Sequence, residues 1–350
     1  MLTQPKSFVR AVQGEIQARP CFWLMRQAGR YLPEYRATRA QAKGFVDLCL
    51  RPDLATEITL QPIRRFGMDA AILFSDILMI PHGLGQKLEF VEGEGPVLEP
   101  VTDAAGLAKL EKGLGSCLEK LGPIFETVSR VKAGLPLDTA LIGFAGAPWT
   151  VATYMVEGGT SKDFAKVRML ACREPVLFEK LIELLVEVTT AYLARQVEAG
   201  AEALQLFDTW AGILPEDEYK RWAIEPAKEI VADLRTRFPS VPIIYFPKGS
   251  GTLYAHAAAE VGADALGIDT SVPLDFAKGL QRQIAVQGNL DPIKLAVGGA
   301  QMEDAIRRIL EALAHGPFVF NLGHGVIPQT PPENVARLAE IVRSWRHRKN

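Results

Sequence analysis

Residues 20–30 read PCFWLMRQAGR. A short run of apolar and aromatic residues, 20–25, gives way at once to a polar turn carrying two arginines. A run of this length and composition reads as a buried strand. The turn after it lacks the GxGxxG spacing that an open, doubly wound sheet usually carries after its first strand. Seven more runs of the same kind follow: 69–74 (DAAILF), 141–146 (LIGFAG), 203–207 (ALQLF), 242–247 (PIIYFP), 263–269 (ADALGID), 284–289 (IAVQGN) and 318–323 (FVFNLG).

Helical patterns separate these runs. In 180–200, Leu181, Leu184, Leu185, Val188, Tyr192 and Val197 share one face, and Gly200 supplies a stop. In 332–345, Val335, Leu338, Ile341, Val342 and Trp345 do the same, which predicts a closing helix. Eight strands alternating with helices predict an α/β fold, a distorted single-domain (β/α)8 TIM-type barrel covering 1–350. The chain exceeds a typical barrel by about 100 residues. Part of the excess is an N-terminal extension. Another part is 86–100, QKLEFVEGEGPVLEP, which reads as a hairpin inserted after strand two.

Composition narrows the function. Hydrophobic residues make up 48% and charged residues 23%, values that exclude disorder and fibrous repeats. The net charge of −2 gives no general pull toward nucleic acid or anionic lipid. The absence of a long apolar run predicts no membrane partner, and the N-terminus lacks the h-region of a secretory signal. Cys21, Cys49, Cys117 and Cys172 form no CxxC pair, and His82, His256, His315, His324 and His347 show no HxH or HxxxH spacing. Reduced thiols in a cytoplasmic protein without a metal site are expected. No GxxxxGK[ST] occurs, which argues against P-loop chemistry.

Barrel sites lie at the C-terminal ends of the strands. The residues there are Arg26 and Arg30, Asp76, Trp149 and Tyr154, Asp208 and Thr209, Lys248, Asp269, Asn289 and His324. Their joint placement predicts a small-molecule site. Arginine forks suit carboxylates, and Gln27 with the backbone amides of Ala28 and Gly29 would add donors for an anion. Each residue also has a structural alternative. Asp76 could cap a helix or pair with Arg64 or Arg65. Tyr154 could be a core aromatic, and Thr209 a helix cap. Lys248 could bind an anion or form a Schiff base, or be an ordinary loop lysine. His324 lies between two glycines, which let backbone approach a ligand.

Several long strings resemble the uroporphyrinogen decarboxylase family, in order along about 5–345: PCFWLMRQAGRYLPEYRATR, TLQPIRRFGMDAAILFSDIL, GFAGAPWTVATYMVEGG, ALQLFDTWAG, VQGNLDP and FNLGHGVIPQTPPENV. The resemblance implies an enzyme without cofactor or metal that works as a cytoplasmic homodimer on a tetrapyrrole. Its reaction would convert the four acetates of uroporphyrinogen III to methyl groups, giving coproporphyrinogen III in heme biosynthesis. It implies that Arg26 and Arg30 bind substrate carboxylates, with Gln27, Ala28 and Gly29 between them. Asp76 would receive the pyrrole N–H groups, and Tyr154 and His324 would line the cleft. Thr209 stands where many members have serine. Phe45 would lie in a loop that closes over substrate. Asp76, Arg26, Tyr154 and His324 are the expected catalytic groups. Arginine is a poor proton donor, so Arg26 would need a substrate carboxyl or water as relay. The rival is a zinc-dependent methyltransferase of the same fold, which would need His and Cys ligands at the strand ends.

Overall fold

The computed structural model describes residues 4–91 and 93–346. All eight expected runs are strands: β1 Cys21–Phe22, β2 Ala70–Ile72, β5 Ala140–Gly146, β6 Ala203–Asp208, β7 Ile243–Pro247, β8 Ala265–Gly267, β9 Ala285–Leu290 and β10 Phe318–Leu322. They form one parallel sheet in the order β1-β10-β9-β8-β7-β6-β5-β2. The 86–100 insertion is the antiparallel hairpin β3 (Leu88–Val91) and β4 (Gly95–Leu98). The long helix spans Pro175–Ala199 and the closing helix Pro332–Ser344. The long helix begins before its pattern because Pro175 suits the first helical turn and an apolar period cannot register it, whereas the closing helix begins where its pattern does.

Alternation divides the strand residues between two cores. One set, including Phe22, Leu24, Leu204, Leu206, Tyr245 and Phe320, packs outward under the helices. The other points inward: Cys21, Trp23 and Met25 with Ile142, Ile244, Phe246 and Val319. The helix Ser7–Val12 belongs to that inner core, with Phe8, Val9, Ala11 and Val12 all buried. Lys6 just before it donates to the Thr139 carbonyl at 2.7 Å and to Glu202 at 2.8 Å. Those residues precede β5 and β6, so the extension plugs the N-terminal end of the barrel. The C-terminal mouth lies at the other end.

Mid-barrel, Trp23 Nε1 donates to Gln287 Oε1 at 2.8 Å, and Gln287 Nε2 donates to Gln205 Oε1 at 3.1 Å. Polar groups in a barrel normally filled by branched apolar residues are tolerable because each is bonded to the next.

The barrel closes between β1 and β2 without a strand ladder. The Asp69 N–H donates to the Phe22 carbonyl at 3.0 Å, and the Phe22 N–H donates to Asp69 Oδ2 at 2.9 Å. Arg19 grips the Asp69 carboxylate with two nitrogens, at 2.7 and 2.9 Å. Beyond them, the Leu24 N–H donates to Gln27 Oε1 at 3.2 Å, while Gln27 Nε2 donates to the Ala70 carbonyl at 3.3 Å. The Gln27 side-chain amide thus stands where a backbone amide of a paired strand would stand. Gln27 is fully buried, its N–H bonds the Leu24 carbonyl and its carbonyl accepts from the Tyr31 hydroxyl. The expectation that Gln27 offers donors to an anion is corrected: its polar groups are engaged inside the protein, and it holds the seam. Gln27→Ala strips partners from two buried backbone groups. It is expected to lower unfolding free energy by about 2–4 kcal/mol in urea titration; a loss under about 0.5 kcal/mol would show that the seam does not rely on this amide.

Candidate active site

The site starts at the seam. Met25 donates its N–H to Asn321 Oδ1 at 3.0 Å and accepts at its carbonyl from Val326 at 2.8 Å. Gln27 is tied to β2. Arg26, between these two anchors, takes a left-handed conformation with φ +60, which costs a non-glycine residue about 1–2 kcal/mol. Its side chain lies across Gly325: a Cβ there would fall 2.3 Å from Arg26 Cδ and 2.6 Å from Cγ. Gly325 is therefore glycine so that the arginine can cross it into the mouth. Arg26 and Arg30 are both exposed, and among the described residues neither makes an ion pair. Ala28 and Gly29 are half-buried in the same turn.

Asp76 sits in the loop after β2, half-buried. Its Oδ1 accepts from the Leu78 N–H at 2.9 Å. Burial raises its pKa above the ordinary carboxylate value, while the Leu78 hydrogen bond and the Arg26 charge oppose the rise. The alternative partners are otherwise engaged, Arg64 with Glu57 and Arg65 with Glu34. Tyr154 lies on the helix Pro148–Glu157, half-buried, its ring 6.1 Å from that of Trp210. Burial raises the pKa of its hydroxyl, and Asp76 and Arg26 both act on it. Arg26, Asp76 and Tyr154 thus come together.

His324 follows β10. Burial, then Arg26 and Lys248, push its pKa down to about 4, against the opposing pull of Asp269. It is a neutral imidazole at neutral pH. Thr209, after β6, is half-buried, and neither following helical turn takes a side-chain cap from it. That removes its structural alternative. Phe45 begins the short helix Phe45–Cys49 and packs on Phe74 and on Phe90 of β3, with centroids at 5.8 and 4.6 Å. The hairpin's other strand reaches the helix carrying Tyr154, through a Leu98 N–H to Gly158 carbonyl bond of 2.9 Å. The insertion therefore straps the Phe45 side of the mouth to the Tyr154 side.

Other strand-end residues turn away from the mouth. Asp208 accepts from Thr150 Oγ1 at 2.5 Å and Tyr245 Oη at 2.9 Å, and burial raises its pKa to about 6. Asp269 accepts from Gly249, Tyr254 and Ser271. Asn289 donates to the carbonyls of Asp269 and Val272. Buried Trp149 donates to the Trp210 carbonyl. Sequence reading missed Trp210 and Phe164, whose rings lie 4.7 Å apart beside Tyr154; the TW pair in FDTWAG was its only trace. The four cysteines are free, with Cys172 alone exposed. Among the described residues no three His, Cys, Asp or Glu side chains converge as a metal site requires, and no helix is long and apolar enough to cross a membrane. His347 lies outside the described residues.

Comparison with known proteins gives a consistent result. The family model for uroporphyrinogen decarboxylase matches residues 3–345. The chain is 56% identical to uroporphyrinogen decarboxylase of Rhodospirillum rubrum, over 97% of this chain and 98% of the relative. It is 51% identical to that of Agrobacterium fabrum, again over 97% and 98%. Among solved structures, a methyltransferase from Methanosarcina mazei superposes with a TM-score of 0.75 at 16% identity, covering 96% of this chain and 97% of the other. At that identity the likeness shows the fold alone.

His324 and Asp208 make opposite contributions to stability as pH changes. With a folded pKa of about 4, His324 binds fewer protons than its unfolded counterpart. Its contribution is complete above about pH 6.5 and is lost as pH falls toward 4. Asp208, raised to about 6, binds more protons when folded, so its contribution grows as pH falls. The two largely cancel. In His324→Asn, unfolding free energy relative to the native chain is expected to rise by about 2 kcal/mol between pH 6.5 and 4. Parallel urea profiles for the two proteins over that range would count against a neutral, shielded His324.

Proposed function

Because the chain belongs to the uroporphyrinogen decarboxylase family, we propose that it converts the four acetate side chains of uroporphyrinogen III to methyl groups. The product is coproporphyrinogen III, a step of porphyrin biosynthesis. One observation carries the assignment of roles: Asp76, a carboxylate whose pKa burial raises, lies under the influence of Arg26, which crosses Gly325 into the same mouth.

An acetate on a pyrrole cannot lose CO₂ until its electron pair has somewhere to go. Protonation of the ring α-carbon next to the one bearing the acetate creates that sink, a cationic iminium conjugated with the acetate-bearing carbon. The carbon–carboxylate bond then breaks, its electron pair enters the ring, and an exocyclic methylene forms. Protonation of the methylene and loss of the added ring proton leave a methyl group. Each round consumes one proton net and releases one CO₂. The ring supplies the sink, so the chemistry calls for no cofactor.

In this reading Asp76 accepts the pyrrole N–H groups and stabilises the cation as it forms. In a desolvated site such an interaction is worth several kcal/mol. Arg26 and Arg30 bind substrate carboxylates, and the backbone of Ala28 and Gly29 shapes the turn between them. Arg26, crossing Gly325 toward Asp76, holds the reacting acetate and passes the proton through it or through water. Neutral His324, Thr209 and Tyr154 hydrogen-bond the substrate, and Phe45 closes over it. The same family reading carries a homodimer and a cytoplasmic location.

The test incubates purified, chelator-treated protein anaerobically with uroporphyrinogen III, then separates the oxidised products by carboxylate number. Seven-, six-, five- and four-carboxylate species are expected in succession. Asp76→Asn is expected to keep the fold and lower kcat by about 100- to 1,000-fold. No carboxylate loss with the native chain would overturn the function, and full activity in Asp76→Asn would remove Asp76 from the mechanism.

A further inference from the structure

Lys248 follows β7 and is half-buried at the mouth. Its backbone is pinned on both sides. Its N–H donates to the Asp208 carbonyl and its carbonyl accepts from the Gly212 N–H, each at 3.1 Å. The next residue, Gly249, has φ +78 and donates to Asp269 Oδ2 at 2.7 Å. A Cβ on Gly212 would lie 2.2 Å from the Gly249 carbonyl carbon, so the two loops touch through bare backbone.

The side chain is placed as firmly. Nζ rests over the Trp210 ring, 5.6 Å from its centroid. Among the described residues its ammonium has no carboxylate partner. The neighbouring acids cannot serve: Asp208 is taken by Thr150 and Tyr245, and Asp269 by Gly249, Tyr254 and Ser271. Apart from the Trp210 ring, this half-buried cation is left to water or to an incoming anion. Lys248 follows β7, three strands from β2 in the sheet order, whereas Arg26 follows β1, which closes on β2. Lys248 therefore shares the mouth but stands off the reaction centre.

The geometry points to Lys248 as a binding residue for a propionate of the substrate. This rests on the decarboxylase reading above. Each pyrrole of the substrate carries one acetate and one propionate. By the fourth round three acetates have become methyls, and the fourth is held by Arg26. A fixed cation away from Asp76 that serves every round must then accept a propionate.

The test compares Lys248→Gln and Lys248→Arg with the native chain, on uroporphyrinogen III and on the five-carboxylate porphyrinogen. Losing one charged hydrogen bond is expected to raise KM about 10- to 100-fold on both substrates, with kcat little changed. Lys248→Arg, which keeps the charge, is expected to restore most of the affinity. An unchanged KM in a folded Lys248→Gln protein would overturn the proposal. So would a rise confined to the eight-carboxylate substrate, or a loss in kcat alone. A native chain that turns over neither substrate would instead remove the decarboxylase reading on which the proposal rests.

Discussion

The closing of the barrel between β1 and β2 is the constraint on which the site depends. Strand pairing there would require β1 to continue past Phe22 in register with β2. The chain instead turns, and two side chains close the gap. Asp69 bridges at the base, locked by Arg19, and the Gln27 amide bridges above it. Because the strand is released from pairing early, its C-terminal end can bend. That bend carries Arg26 in its left-handed conformation across Gly325, toward Asp76 in the loop after β2. A regular ladder would hold residue 26 extended, and the Arg26–Asp76 relation would be lost. The same device explains why a left-handed arginine persists: bonds from Met25 to Asn321 and Val326, and from Gln27 to β2, fix both neighbours.

From that constraint follows the electrostatic character of the mouth. Among the described residues Arg26, Arg30 and Lys248 bring charge without ion pairs, and half-buried Asp76 lies under the influence of Arg26. The other strand-end acids, Asp208 and Asp269, are satisfied by hydroxyls and backbone N–H groups in the loops behind. Separation of this kind matters for a polyanionic substrate. An unpaired acid at the rim would repel it, and paired cations would have to break a bond to receive it. The near-neutral net charge of −2 conceals this arrangement, because a sum over 350 residues has no geometry.

Much of the fold was legible because it is written in apolar runs. Eight strands, the inserted hairpin and the closing helix all appear where alternation and period place them. The length of β1 was not legible. The run 20–25 looks like a six-residue strand, yet only Cys21–Phe22 pair, since the partner of Met25 is a side chain of β10 rather than its backbone. The role of Gln27 was hidden for the same reason: a glutamine beside two arginines suggests ligand contact, and nothing local says that its amide replaces a backbone pair 43 residues away. The strand-end list likewise mixed two populations. Sequence places Asp76, Asp208 and Asp269 alike after strands, and only the donors around each decide which one remains for a ligand.

The shared fold makes the division between scaffold and chemistry explicit. A methyltransferase at 16% identity superposes along nearly the whole chain, so the fold alone does not determine the reaction. What differs must lie in the few side chains presented at the mouth. A metal-activated thiol needs soft ligands converging from several strand ends. Here those ends carry an ammonium over an indole, two internally bonded aspartates and an asparagine bonded to backbone carbonyls. Among the described residues no three His, Cys, Asp or Glu side chains converge there. Arg26, Arg30 and Asp76 belong to the end of the barrel where the seam was loosened. The irregularity in the fold and the chemistry at the site are therefore one feature: the strand that fails to pair is the strand that delivers the arginines.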